Sequence, residues 1–132
     1  MSLFFGKKVH DVKSLVGRLL NSDCPEGRRV DSRTLQVMVG FVIPIADRRP
    51  QVGQAFTATT KDFSNTGVAM VINQPLAPDQ AILGFHLSGK MVFFRAEARH
   101  AEPMGGGFYQ HGFQLFEVVS LKDYPELESL SL

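Results

Sequence analysis

The chain has 132 residues, 44% of them hydrophobic and 20% charged, with a formal net charge of +1. That size and composition fit one domain that buries a core without covalent staples, and the lone Cys24 excludes an intrachain disulfide. A net charge this close to zero provides no global field to draw nucleic acid or an anionic membrane, so any anion site has to be local.

Near the start, Leu3, Phe4 and Phe5 form an apolar block too short for the core of a secretion signal, and no segment approaches a membrane-spanning length. A cytoplasmic protein is the expectation. Residues 9–21 carry Val9, Val12, Leu15, Val16, Leu19 and Leu20 at helical spacing, with Asp11, Lys13, Ser14 and Arg18 elsewhere on the wheel. One amphipathic helix cannot bury its stripe alone, so it docks on the rest of the domain or on a second copy of the chain, as in a homodimer. Asn21 to Gly27 supplies a loop rich in turn residues.

From Thr34 the apolar period changes to two. Leu35, Val37, Val39, Phe41, Ile43 and Ile45 predict one long strand, within which Gly40 suggests a bulge or bend. After a turn at residues 46–50, strands are expected at 52–61, 68–72, 81–87, 90–101 and 108–119. The connections are the polar turn at 62–67, the loop at 73–79 with two prolines, the Ser88-Gly89 hairpin signal and the run Gly105-Gly106-Gly107. A helical turn follows Pro125. Six strands at near-regular spacing predict a mainly all-β protein, and at this size a six-stranded antiparallel barrel leaves the fewest edges exposed. The division expected is an N-terminal helix and loop over 1–27, a β domain over 28–120 and a C-terminal tail or short helix over 121–132.

Two polar clusters stand out. Arg28-Arg29-Val30-Asp31-Ser32-Arg33 leaves a loop and enters a strand, and Asp62-Phe63-Ser64-Asn65-Thr66-Gly67 empties into the β-branched run that follows. Arginine presents a planar fork to phosphate oxygens or to guanine O6 and N7, and its flat cation stacks on a purine. A carboxylate such as Asp62 complements the opposite guanine edge, where the groups are donors, and Ser64 bonds a phosphate or a base edge. In extended chain Asp62 and Ser64 point the same way, and Gly67 can take a positive φ or admit a ligand close to the backbone. Together the clusters suit a ligand carrying guanine and phosphate.

Arg29-x-x-x-Arg33, Asp62-x-Ser64-x-x-Gly67 and the final stretch from Tyr109 through Gly112 to Phe116 resemble the PilZ domain family, over about residues 28–119. The resemblance implies a six-stranded β-barrel of PilZ type that binds the bacterial second messenger cyclic di-GMP. By position, Arg29 and Arg33 would hold guanine edges and phosphates, and Asp62 and Ser64 would read a guanine. Gly67 would allow the close turn, and Arg28, just before the first motif, looks like the type that binds a stacked pair of ligands. The stretch between the motifs is long for the family. A tryptophan found in some members is absent, and Arg99 or His100 lies nearby instead, as candidates for the third side of the pocket. Implied partners are cyclic di-GMP and a protein in motility, pilus assembly or the surface-polysaccharide control that underlies biofilm. An alternative within the same family is an interaction module that binds no nucleotide.

His10, His86, His100 and His111 show no metal-ligand spacing, and no nucleophile–base order or phosphate loop is present, so neither a metal, a cofactor nor catalysis is expected.

Overall fold

The computed structural model describes residues 2–21, 34–35, 37–73 and 80–130, with side chains described over 11–20, 37–73 and 80–130. The chain begins with a helix, α1 (Ser2–Asn21), which starts seven residues before the predicted one. Its stripe behaves as the periodicity requires. Val12, Leu15, Val16, Leu19 and Leu20 are buried, and Asp11, Lys13, Ser14 and Arg18 are exposed. The stripe docks on the sheet of its own chain, sharing one core with Phe63, Val68, Phe85, Phe94 and Phe113.

Among the described residues eight strands form one antiparallel sheet: β1 (Thr34–Leu35), β2 (Val39–Ala46), β3 (Arg49–Pro50), β4 (Phe56–Phe63), β5 (Gly67–Ile72), β6 (Gln80–Leu87), β7 (Lys90–Gly105) and β8 (Phe108–Val119). Six of these are the expected strands, and the count rises because β1 and β3 are separate two-residue pieces. The predicted unbroken strand from Thr34 is therefore corrected. The Met38 backbone leaves the ladder to bond Thr60, its N–H to the Thr60 hydroxyl at 2.9 Å and its carbonyl to the Thr60 N–H at 2.8 Å. The long strands pair in the order β4–β5–β8–β7–β6–β2, and β2 also pairs with β4, so each has a neighbour on both sides. β7 outruns β6. Beyond Glu97, which faces Gln80, its residues 98–105 pair with β8 alone among the described residues.

Gly40 makes no bulge, since its ladder to β4 runs in unbroken register. A Cβ there would lie 2.6 Å from the Phe85 ring, so the glycine makes room for an aromatic rather than for a bend.

Strands β2, β6 and β7 are apolar on both faces. Val42, Leu83 and Phe94 enter the core that α1 covers, and their neighbours Ile43, Ile82 and Phe93 enter a second cluster with Val119. Leu127 closes this second cluster from a C-terminal 3-10 turn (Pro125–Ser129). Double-sided burial is why β6 and the first part of β7 read as apolar runs rather than strict alternation. Arg49 ties the turn down. Its Nε donates to Glu126 Oε2 at 3.0 Å, and its guanidinium lies 4.9 Å over the Tyr124 ring. The Glu126 carboxyl sits below its ordinary pKa, held there first by a hydrogen bond from its own backbone N–H and then by Arg49.

β2 and β3 are joined by the two-residue turn Asp47–Arg48, both left-handed, with φ of 53° and 64°. Glycine or asparagine is the usual occupant of such a turn. Arg48→Gly is expected to leave the fold at least as stable. It relieves roughly 1–2 kcal/mol of left-handed strain and adds back roughly 0.5–1 kcal/mol of unfolded-chain freedom. An unchanged or slightly raised melting temperature is the expected readout. No helix among the described residues is long and apolar enough to cross a membrane.

Candidate functional site

The second polar cluster sits where β4 turns into β5, and a bulge sets its direction. In β4, Ala58 and Thr60 face inward, and plain alternation would send Asp62 into the core and Phe63 outward. The pairing with β5 slips between Thr60 and Asp62, leaving Lys61 as the extra residue. The phase therefore flips. Phe63 is fully buried against Phe85, and its neighbours Asp62 and Ser64 are directed to the outer side. Asp62 and Phe63 thus belong to the strand, not to the turn as the sequence suggested.

The turn itself is tight. The Ser64 N–H donates to the Gly67 carbonyl at 2.9 Å, and the Thr66 carbonyl accepts from the Leu115 N–H at 2.8 Å and from Gln114 Nε2 at 3.2 Å. Gly67 does not take a positive φ, which corrects the first reason given for it. The close approach is what demands glycine. A Cβ would stand 3.1 Å from both the Phe113 carbonyl oxygen and the Ser64 hydroxyl. Gly67→Ala is expected to cost about 1–2 kcal/mol, because the carbonyl belongs to the ladder and yields little. It should also swing the Ser64 hydroxyl away. Urea denaturation measures the first effect.

Arg28, Arg29 and Arg33 lie outside the described residues. The chain that follows them does not. Thr34, bonded to Arg33, pairs with Phe63, and Leu35 pairs with Asp62. The strand entered from the arginine segment is thus laid beside the residues that carry Asp62 and Ser64.

On its other side Asp62 begins a row across three further strands, pairing with Ala69, which pairs with Gly112, which pairs with His100. At ordinary strand spacing this row is about 14 Å from end to end. Its middle is made of two small buried residues, Ala69 and Gly112. The His100 imidazole leans over Gly112, with Cε1 2.5 Å from where a Cβ would be. His100 therefore covers Gly112 at the far end of the row that starts at Asp62. Arg99 is the extra residue of a second bulge. It is ion-paired with Glu97 at 3.1 Å and rests 5.4 Å over the Phe116 ring.

Gln114, which braces the turn through Thr66, was not singled out in the sequence, and neither was Arg48. Gln114 is recognisable only once Gly67 is known to face it in the ladder. What the fold and site define is a mainly β protein with one antiparallel sheet, an N-terminal helix and a polar outer rim at the β4–β5 turn. Comparison with known proteins finds no family model, no curated protein and no solved structure that matches the chain.

Proposed function

We propose that this chain is a receptor for cyclic di-GMP, built on a six-stranded barrel of PilZ type, and that it acts by binding rather than by turnover. The continuous pairing of β2, β4, β5, β8, β7 and β6 supports the barrel. The observation that carries the ligand assignment is the short β1–β4 ladder, which brings the strand after the arginine segment against Phe63 and Asp62. Two clusters 29 positions apart, Arg33 to Asp62, suit the same ligand chemistry, and the topology joins the chain next to one of them to the chain that holds the other.

In this reading Arg28, Arg29 and Arg33 supply cations for phosphates and purine faces. Asp62 accepts from the guanine N1–H and amine, Ser64 bonds a phosphate or base edge, and Gly67 keeps the turn close. His100 and Arg99 border the far side of the row. A handful of charge-assisted hydrogen bonds, at roughly 1.5–3 kcal/mol each less the cost of association, supports about micromolar affinity. Ordering of the arginine segment on binding would pass the signal to a protein partner. Isothermal titration with cyclic di-GMP tests the reading. Saturable binding with two ligands per chain is the expected result, the second following from Arg28, and no heat of binding at ~100 μM ligand, well above that affinity, overturns it.

A further inference from the structure

A second polar recess lies on the outer face away from the β4–β5 turn, lined by Ile45, Arg48, Gln80, Arg95, Glu117 and Tyr124, with a volume of about 280 Å³. Its polar walls are rich in donors. Arg95 spends its Nε on Glu117 at 2.9 Å, which leaves its two terminal nitrogens outside that bond. Among the described lining residues Glu117 is the one carboxylate, and it is ion-paired with Arg95. Arg48 is different from the other arginines of the sheet. Among the described residues Arg49, Arg95 and Arg99 are each paired with a carboxylate, Glu126, Glu117 and Glu97, whereas none lies within ion-pair distance of Arg48. Its backbone holds a left-handed conformation that glycine would adopt without strain, so the turn gains nothing from this side chain.

The geometry points to a binding site for a small aromatic phosphate monoester, its phosphate held between Arg48 and Arg95. Two guanidiniums offer forked donors to the oxygens, and among the described lining residues the two arginines outnumber the single carboxylate. The Tyr124 ring, held by Arg49, and the Ile45 side chain form an apolar wall for the ring of such a ligand. The recess is larger than a bare phosphate needs, which favours the organic ester. Among the described residues, Asp62, Ser64, Gly67, Arg99 and His100 of the cyclic di-GMP reading line none of this recess.

The test is amide chemical-shift titration of the full chain with phenyl phosphate and with inorganic phosphate, against chloride at matched ionic strength. Saturable shifts at Arg48, Gln80, Arg95 and Tyr124 are expected, tighter for phenyl phosphate than for inorganic phosphate. Arg48→Gly, which keeps the fold, should weaken phenyl phosphate roughly tenfold or more, the worth of one charge-assisted contact. Arg95→Gln should weaken it comparably. Equal affinity in wild type and Arg48→Gly overturns the site, as does an absence of saturable shifts or a response confined to residues 62–67. Inorganic phosphate binding as tightly as the ester overturns the assignment to an aromatic ligand.

Discussion

Asp62→Ala is expected to weaken cyclic di-GMP at least tenfold and up to about a hundredfold, with the helix and both cores intact. In the proposed site the carboxylate would accept from two guanine donors, and losing charge-assisted bonds of this kind costs roughly 1.5–3 kcal/mol. Little should happen to the fold, because the bulge at Lys61 already turns Asp62 away from the core and leaves Phe63 to fill it. Arg29→Ala should produce a loss of the same order from the other segment. Two controls sharpen the measurement by titration calorimetry. Thr59→Ala, on an exposed position of the same strand, should bind as wild type. Asp62→Asn, which keeps the shape and replaces one acceptor with a donor, should do no better than alanine. Wild-type affinity in both Asp62→Ala and Arg29→Ala would leave the shared crevice without support.

Phe85→Ala is the substitution with the largest expected effect on stability, about 3–5 kcal/mol, the range for emptying a buried aromatic site. Phe85 is fully buried, with the Phe63 ring 5.8 Å away and the Phe94 ring 6.2 Å away, both edge to face. Set against the roughly 5–15 kcal/mol that holds a typical domain together, such a loss brings the midpoint of urea unfolding down sharply. The neighbouring glycine makes the prediction specific. Gly40→Ala in the wild type drives a methyl group to 2.6 Å from the Phe85 ring and should cost about 1–3 kcal/mol by overpacking. In the Phe85→Ala background the ring is gone, and the same change should cost less, the remaining close contact being the Gly84 carbonyl oxygen at 3.0 Å. A double-mutant cycle measures that coupling; strict additivity would mean the two positions do not meet as described.

The parts of this architecture that follow from periodicity were legible in the sequence. The stripe from Val12 to Leu20 fixed both the helix and the face it buries, and all six long strands were placed within a few residues of their ends. What periodicity could not supply was anything set by a partner strand. Lys61 looks like an ordinary strand residue, yet it is the extra one that decides which way Asp62 faces. Gly40 suggests a bulge or bend and Gly67 a positive φ or the close approach of a ligand, and at both it is another group of the chain itself that comes too close for a Cβ. The break at Met38 depends on Thr60, 22 positions away. The terminal turn was expected, but its role as the lid of a second apolar cluster was hidden, because Phe93-Phe94 looks the same whether one ring or both are buried. Arg48 escaped notice because the sequence does not reveal a left-handed backbone when the residue is not glycine.

The stretch of β7 that extends past β6 bears on how other molecules can attach. A strand flank with no partner, as residues 98–105 have on one side among the described residues, is an invitation to add another strand, by a peptide or by a sister chain. Here that flank carries Arg99, His100, Glu102 and Pro103, and its register is broken twice, once at Arg99 and again at Met104. Charge, a missing amide donor and a warped outline together discourage backbone zippering. Along this flank, among the described residues, a partner would have to recognise the chemistry of the side groups rather than extend the sheet.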